Sequence, residues 1–265
     1  MLQVDKFGFV EYVEHMGSDE RIVDSARRSY GEGTKKVSSS RALIRYMLEN
    51  GHTSPFESCV ITMHIKAPIF VARQWMRHRT ASYNELSARY SLMPDEYFVP
   101  EYARGQSITN KQGSEGVLED DGKFVDTCNA VIDFSRKAYE QAIDDGVSRE
   151  LARTLLPVSQ YTDFYFTMNL HNLFRFLALR DHVHAQPEIR VYAQAISEIV
   201  KGIFPLAYEA YVDYIKDSVN ISGPSLSILK ECIDKQKFTD MINNSPSLSK
   251  GEKMRIIRNI YGDED

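Results

Sequence analysis

Arg77-His78-Arg79-Thr80-Ala81-Ser82-Tyr83-Asn84-Glu85-Leu86-Ser87-Ala88-Arg89-Tyr90 is the stretch on which the reading of this chain turns. It carries three guanidiniums, one imidazole, one carboxylate and several neutral hydrogen-bonding side chains, with too few apolar positions to be held by packing alone. A guanidinium fork grips phosphate or carboxylate through two parallel hydrogen bonds. Arginines gathered around the lone Glu85 therefore point to a pocket for an anionic ligand with a polar head. Just upstream, Cys59, Ile61, Met63, Ile65 and Ala67 alternate with Ser58, Thr62, His64 and Lys66, and only Val60 breaks the pattern. That period of two predicts a half-buried strand. Pro68 can then open a helix, since the N–H it lacks would be orphaned there anyway. Ile69, Val71, Ala72, Trp75 and Met76 continue at helical spacing. Beyond Arg79 the apolar period stops. If the chain runs extended to Tyr90, Glu85, Ser87 and Arg89 share one side, to hold a ligand, and Asn84, Leu86, Ala88 and Tyr90 share the other.

Working outward, Asp19 to Tyr30 reads as a helix stopped by Gly31. Ser38-Ser39-Ser40 supplies N-caps for a helix carrying Leu43, Ile44, Met47 and Leu48, stopped by Gly51. Residues 103–123 are rich in Gly, Ser and charge and read as a long mobile loop. A helix from Phe124 to Asp144 follows, then a turn at Gly146, and Ser148 opens a short helix ending before Pro157. Tyr161 to Met168 reads as a second strand, Asn169 as the cap of a helix Leu170–Leu179, and Pro187 as the start of a long amphipathic helix. Two short helices are expected in the tail, around Leu226–Met241 and Ser249–Tyr261. Helices mixed with a few separated strands, without a βαβ rhythm, predict an α+β fold: a helix-rich single domain around a small, mainly antiparallel sheet. The domain is expected over residues 1–217, with a helical extension over 218–265.

A chain of 265 residues, 43% of them hydrophobic, can bury an ample core. The net charge of −5 argues against a general polyanion-binding surface, yet Arg73 to Tyr90 holds four arginines against one acid. A basic island in an acidic protein indicates a discrete anion site. Cys59, Cys128 and Cys232 are far apart, without metal-ligand or redox-motif spacing, which fits a reducing compartment. The first residues lack a signal-peptide pattern and no apolar run reaches the roughly 18 residues of a membrane span, so the expectation is a cytoplasmic protein with no membrane contact.

A second polar block comprises Arg153, Asn169, His171, Asn172, Arg175, Arg180, His182 and His184. His171 and Arg175, four apart, share a helix face, and Asn169 sits where free helical N–H groups favour anions. A solvated face with an ordinary cap is the plainer account. Against it, Leu173, Phe174, Phe176, Leu177 and Leu179 fill much of the remaining circumference, and a buried Arg or His needs a partner or ligand. His182-x-His184 has no third ligand at a His-Glu-x-x-His spacing, so no metal is expected. Neither a Gly-x-Gly-x-x-Gly nor a Walker loop is present. Trp75, Tyr83 and Tyr90 suit stacking on a planar ring as well as packing.

The window from Arg77 to Tyr90 resembles the signature of flavin-dependent thymidylate synthases. Gly51-His52-Thr53-Ser54-Pro55-Phe56-Glu57, Lys66 to Trp75, Arg149-Glu150-Leu151-Ala152-Arg153, Leu156-Pro157, Asn169, Leu179-Arg180 and His184-Ala185-Gln186 are similar to further blocks of that family, in the same order. The resemblance spans roughly residues 8–215. It implies the family's fold and a homotetramer with interfacial active sites. It further implies reductive methylation of dUMP to dTMP without a cysteine nucleophile. FAD, NADPH as reductant and methylenetetrahydrofolate as one-carbon donor come with it. By the same likeness Gln74, Arg77, Glu85, Leu86, Ser87, Ala88, Arg89, Arg153 and Arg180 would line the dUMP site, with Arg180 catalytic through its action on the uracil ring. Ser29, Ser54, Glu57, Arg77, His78, Arg79, Thr80, Glu85, Asn169, His171, Arg175 and His184 would hold FAD. Ser54 stands where Thr is frequent in the family and Ala88 where Gly is frequent. The alternative is a single-stranded nucleic-acid-binding protein gripping its ligand with the arginines and interleaved aromatics. Acidic composition and Glu85 fit that poorly, and no nucleic-acid partner is expected.

Overall fold

The alternation of buried and half-open side chains from Val60 to Pro68 makes this segment the central strand of an antiparallel sheet. The computed structural model describes residues 1–28, 39–120 and 122–261. Its strands are β1 (Leu2–Gln3), β2 (Phe9–Met16), β3 (Val60–Pro68), β4 (Ser82–Glu85), β5 (Arg104–Gln106), β6 (Ser114–Val117) and β7 (Tyr161–Asn169). Its helices are α1 (Asp19–Arg28), α2 (Ser40–Glu49), α3 (Ser54–Glu57), α4 (Ile69–Trp75), α5 (Lys123–Asp144), α6 (Arg149–Ala152), α7 (Leu170–Arg180), α8 (Pro187–Ile203), α9 (Pro205–Tyr211), α10 (Gly223–Cys232), α11 (Lys235–Asn244) and α12 (Lys250–Tyr261). Short 3-10 and π turns follow α6 and α9. The main sheet runs β1-β2-β3-β7-β4 with every pair antiparallel, and β5 pairs with β6 in a separate hairpin. The expected α+β class is the observed one.

One face of the sheet carries the core. Ile61, Met63, Ile65 and Ala67 of β3 and Phe164, Phe166 and Met168 of β7 are buried against α4, α7 and α8. Trp75 is fully buried, with its ring about 5 to 6 Å from those of Phe164, Phe166, Phe176 and Tyr192. This aromatic cluster fixes the end of α4, and with it the start of the polar window. The turn from β2 into α1 requires Gly17: its φ is +94°, and a Cβ there would meet Cys59 Sγ at 2.6 Å.

Several expectations need correction. Pairing of β4 with β7 stops at Glu85, and the backbone turns at Ser87, whose carbonyl accepts from Tyr90 N at 3.0 Å and Ser91 N at 3.1 Å. The extended run to Tyr90 therefore does not form. Residues 103–123 are not simply a loop, because they contain the β5–β6 hairpin. The described residues of the tail form three helices, since the Asp234 side chain accepts from Lys237 N and starts α11 anew. α7 is less enclosed than its sequence suggested: Arg175 is exposed and Leu179 is 62% exposed. β2 escaped the sequence reading, because among Phe9 to Met16 only Val10 is buried and a bulge interrupts the register after Tyr12. Tyr30, Gly31 and Ser38 lie outside the described residues.

Candidate active site

Arg180 is the last residue of α7, and the Trp75 cluster holds the end of α4 opposite it. Its Nε donates to His78 Nε2 at 3.0 Å and its Nη2 to the Gln74 carbonyl at 3.4 Å. The Gln74 amide in turn donates to Gln186 Oε1. Tyr83 Oη donates to the Trp75 and His78 carbonyls, both at 3.0 Å, and so ties β4 to the turn that carries His78. Since a guanidinium has only donors, His78 Nε2 must be a lone pair and the ring proton sits on Nδ1. Burial, reinforced by the Arg180 charge, pushes the imidazole down to about 4. Burial and the nearby Arg77 also lower the Arg180 guanidinium, from a starting value so high that it stays charged. Gln74, Arg77, Gln112, Arg180, His182, His184 and Gln186 face a cleft of about 720 Å³. Here residues more than a hundred positions apart meet, and they present two guanidiniums, neutral amides and imidazoles to one ligand.

A second group forms where β4 ends. Glu85 Oε1 accepts from Thr162 Oγ1 at 2.8 Å, and Leu86 N donates to the Asp163 carbonyl at 2.9 Å. Glu85, Leu86, Ser87, Ala88 and Arg153 line a hollow of about 310 Å³. Arg89 faces away from it, paired with Glu150 at 3.0 Å, while Arg149 holds the Tyr90 carbonyl at 2.9 Å. Among the described residues none lines both this hollow and the larger cleft.

The third group spans α3 and the start of α7. Burial lowers the His171 imidazole, with the Glu57 charge opposing and the Arg175 charge adding to the effect, so these three side chains share one electrostatic neighbourhood. Glu57 accepts from Thr53 Oγ1 at 3.1 Å and Ser54 is exposed beside it. Asn169 caps α7, its Oδ1 accepting from Asn172 N at 2.9 Å and Asn172 Nδ2 at 3.0 Å. Arg79 and Thr80 are exposed, and Ser29 lies outside the described residues. Sequence reasoning missed Gln112 and Thr162 as lining residues, and it named His182 in the second polar block and Gln186 in a family block without giving either a ligand role. Thr162 lies in β7, outside both polar blocks, and Gln112 sits in the segment read as a loop.

Among the described residues no cluster of His, Cys, Asp and Glu is placed to hold a metal. The three cysteines are free, Cys59 is buried, and none lines these clefts. Trp75 is sealed in the core and so is not a platform for a base, which removes the strongest stacking residue from the nucleic-acid reading. No described helix is long and apolar enough to cross a membrane.

The family described as thymidylate synthase complementing protein matches residues 11–206. A flavin-dependent thymidylate synthase of Wolbachia pipientis is 45% identical over 254 residues, covering 94% of this chain and 89% of that protein. One from Thermus thermophilus is 46% identical over 255 residues, covering 96% and 94%. The crystal structure of a UMP/dUMP methylase, PolB from Streptomyces cacaoi, bound with 5-Br dUMP superposes with a TM-score of 0.73 at 32% identity, covering 79% of this chain and 96% of that one.

Proposed function

The chain belongs to the flavin-dependent thymidylate synthase family, and from that membership we propose how its residues divide the reductive methylation of dUMP to dTMP. The carrying observation is Arg180, held by His78 and the Gln74 carbonyl beside Arg77 in one cleft. A nucleoside monophosphate is a dianion and needs guanidinium forks. Arg77 is the exposed cation of the cleft and suits the phosphate. With Nε and Nη2 engaged, Arg180 still has donors for the uracil carbonyls, where it stabilises negative charge developing on the ring. Glu85, Leu86, Ser87, Ala88 and Arg153 supply the remaining nucleotide contacts from the hollow, and Arg89 joins them by exchanging its Glu150 partner for the ligand's negative charge. The hollow and the Arg180 cleft share no described lining residue, and a homotetramer in which different copies contribute the two to one site suits that separation.

The donor set fits FAD. The Ser54 hydroxyl, the His171 imidazole and the exposed Arg175, with Arg77 and Arg79, suit an anionic dinucleotide. When bound, FAD supplies the hydride and draws its electrons from NADPH. Ser29, Glu57, His78, Thr80, Glu85, Asn169 and His184 complete the proposed contacts. Methylenetetrahydrofolate is the one-carbon donor, and the setting is the cytoplasm. Residues 1–217 form the catalytic unit, with 218–265 as an extension. Purified protein should be yellow and should convert dUMP only when folate and reductant are present. Arg180→Ala should abolish turnover while most of the flavin stays bound. A colourless protein that takes up no FAD would refute the reading, and near-normal turnover by Arg180→Ala would refute the role of that residue.

A further inference from the structure

We infer that the β5–β6 hairpin is a substrate-binding element and that Gln112, near its tip, contacts the nucleotide directly. This rests on the reading of the Arg180 cleft as the dUMP site.

Gln112 lines that cleft together with Arg77 and Arg180, although it is remote from both blocks in sequence. Its placement is built rather than incidental. At the base of the hairpin, Arg104 Nη2 bonds Glu188 Oε1 at 2.5 Å and Arg104 Nε bonds Ser114 Oγ at 3.0 Å. Glu188 lies in the first turn of α8, two residues after Gln186, which itself faces the cleft. The hairpin and the cleft wall are thus fastened to the same helix end. The tip has its own frame. The Glu115 carboxylate accepts from Ser107 Oγ and Ile108 N, both at 2.9 Å. Ser107 N reaches the Gly113 carbonyl at 3.0 Å, and Gln106 Nε2 reaches the same carbonyl at 2.9 Å. Gln112 N donates to Asn110 Oδ1 at 3.2 Å. A Cβ at position 113 would meet the Asn110 amide at 2.8 Å, so the Asn110 side chain packs directly over the residue next to Gln112. Rigid support of this kind makes a side chain a dependable ligand contact.

The chemistry suits the position. The cleft already holds two guanidiniums for negative charge, and a neutral amide adds a donor and an acceptor without further cation repulsion. Gln112 is solvent-exposed on the hairpin side and meets a nucleotide as it enters, so it acts on binding and not on the chemical step.

The test is steady-state kinetics on the FAD-loaded full-length chain with dUMP varied, for wild type, Gln112→Ala, Gln112→Glu and Lys111→Ala. Gln112→Ala should raise KM for dUMP about three- to ten-fold, the size of one neutral hydrogen bond, with kcat within about two-fold and flavin content unchanged. Gln112→Glu should raise KM further, because it sets a carboxylate against the phosphate dianion. Lys111→Ala, on the neighbouring residue, should leave KM unchanged. KM values for both Gln112 variants equal to wild type would overturn the inference. So would a Lys111→Ala effect as large as that of Gln112→Ala, because the hairpin would then be acting through charge or general order. A wild-type chain that neither binds nor turns over dUMP would instead remove the functional reading, and this inference with it.

Discussion

At the scale of single residues, the contact that matters most is the one between His78 and Arg180. An imidazole that accepts from a guanidinium works only while neutral, and the half-buried setting keeps His78 neutral well below physiological pH. Its folded value, about 4, lies below the ordinary 6.5. The unfolded chain therefore binds more protons between those values, and stability contributed by the neutral ring is lost as pH falls from about 6.5 through 4. Activity should follow the same logic through side-chain shape. His78→Gln offers an amide oxygen near the position of Nε2 and should keep most of the turnover. His78→Leu removes the acceptor and should cut kcat by roughly ten- to a hundred-fold, the worth of a hydrogen bond to a charged group. Turnover compared at fixed flavin content checks this, and equal losses in the two variants would mean that the imidazole does something other than accept from Arg180. Charge and spacing singled out Arg77 and His78 in one polar block and Arg180 in another, and the proposed role of Arg180 came from the family resemblance. That the histidine faces the arginine was not, because it depends on the packing of Phe176 edge-on against the ring at 4.8 Å.

Elements show where local rules suffice and where they fail. Three serines at 38–40 announced the start of α2 but left the capping position open. The structure places Ser39 at the cap, its Oγ accepting from Ala42 N at 3.2 Å, while Ser40 is already helical. Ser39→Ala should therefore cost about 1 kcal/mol in denaturant unfolding, whereas Ser40→Ala should be neutral or slightly stabilising. The reverse ranking would put the cap at the wrong serine. β3, α4, β7, α7 and α8 were readable because each has one dry face and an unambiguous period of two or 3.6. β2 lacked that contrast, since it lies near the sheet edge with polar and apolar residues intermixed. The β5–β6 hairpin was hidden for a different reason. Its stability comes from side-chain hydrogen bonds to Glu115 and from the distant Glu188, and neither leaves a hydrophobic period to find. The same blindness cost the sequence reading Gln112.

Over the whole molecule, the link between the body and the tail is ionic, with one pair at its centre almost completely enclosed. Arg45 of α2 and Glu252 of α12 are 4% and 3% exposed and lie 2.7 Å apart. Arg45 also reaches Glu209 of α9 at 3.0 Å and Asp213 of the π turn at 2.5 Å, while Arg255 of α12 holds Glu49 of α2. Burial alone would raise the Glu252 carboxyl, but hydrogen bonds from Ser249, Tyr214 and Arg45 hold it at about 2. A carboxylate depressed in the fold stabilises it fully above its ordinary value of 4.5 and ceases to as pH falls toward 2. The tail should therefore loosen from the body across that acidic window. Glu252→Gln should bring part of that loosening to neutral pH at a cost of roughly 1.5–3 kcal/mol, the worth of one charge-assisted hydrogen bond, since Arg45 keeps Glu209 and Asp213. Calorimetry and limited trypsin digestion read this directly: a lower Tm together with early cleavage between α10 and α12. The double variant Arg45→Met with Glu252→Leu replaces the pair by apolar side chains and should recover much of the lost stability. If Glu252→Gln instead unfolds and digests like wild type, the tail is held by its packing, and the buried pair only sets the register in which α12 lies against α2.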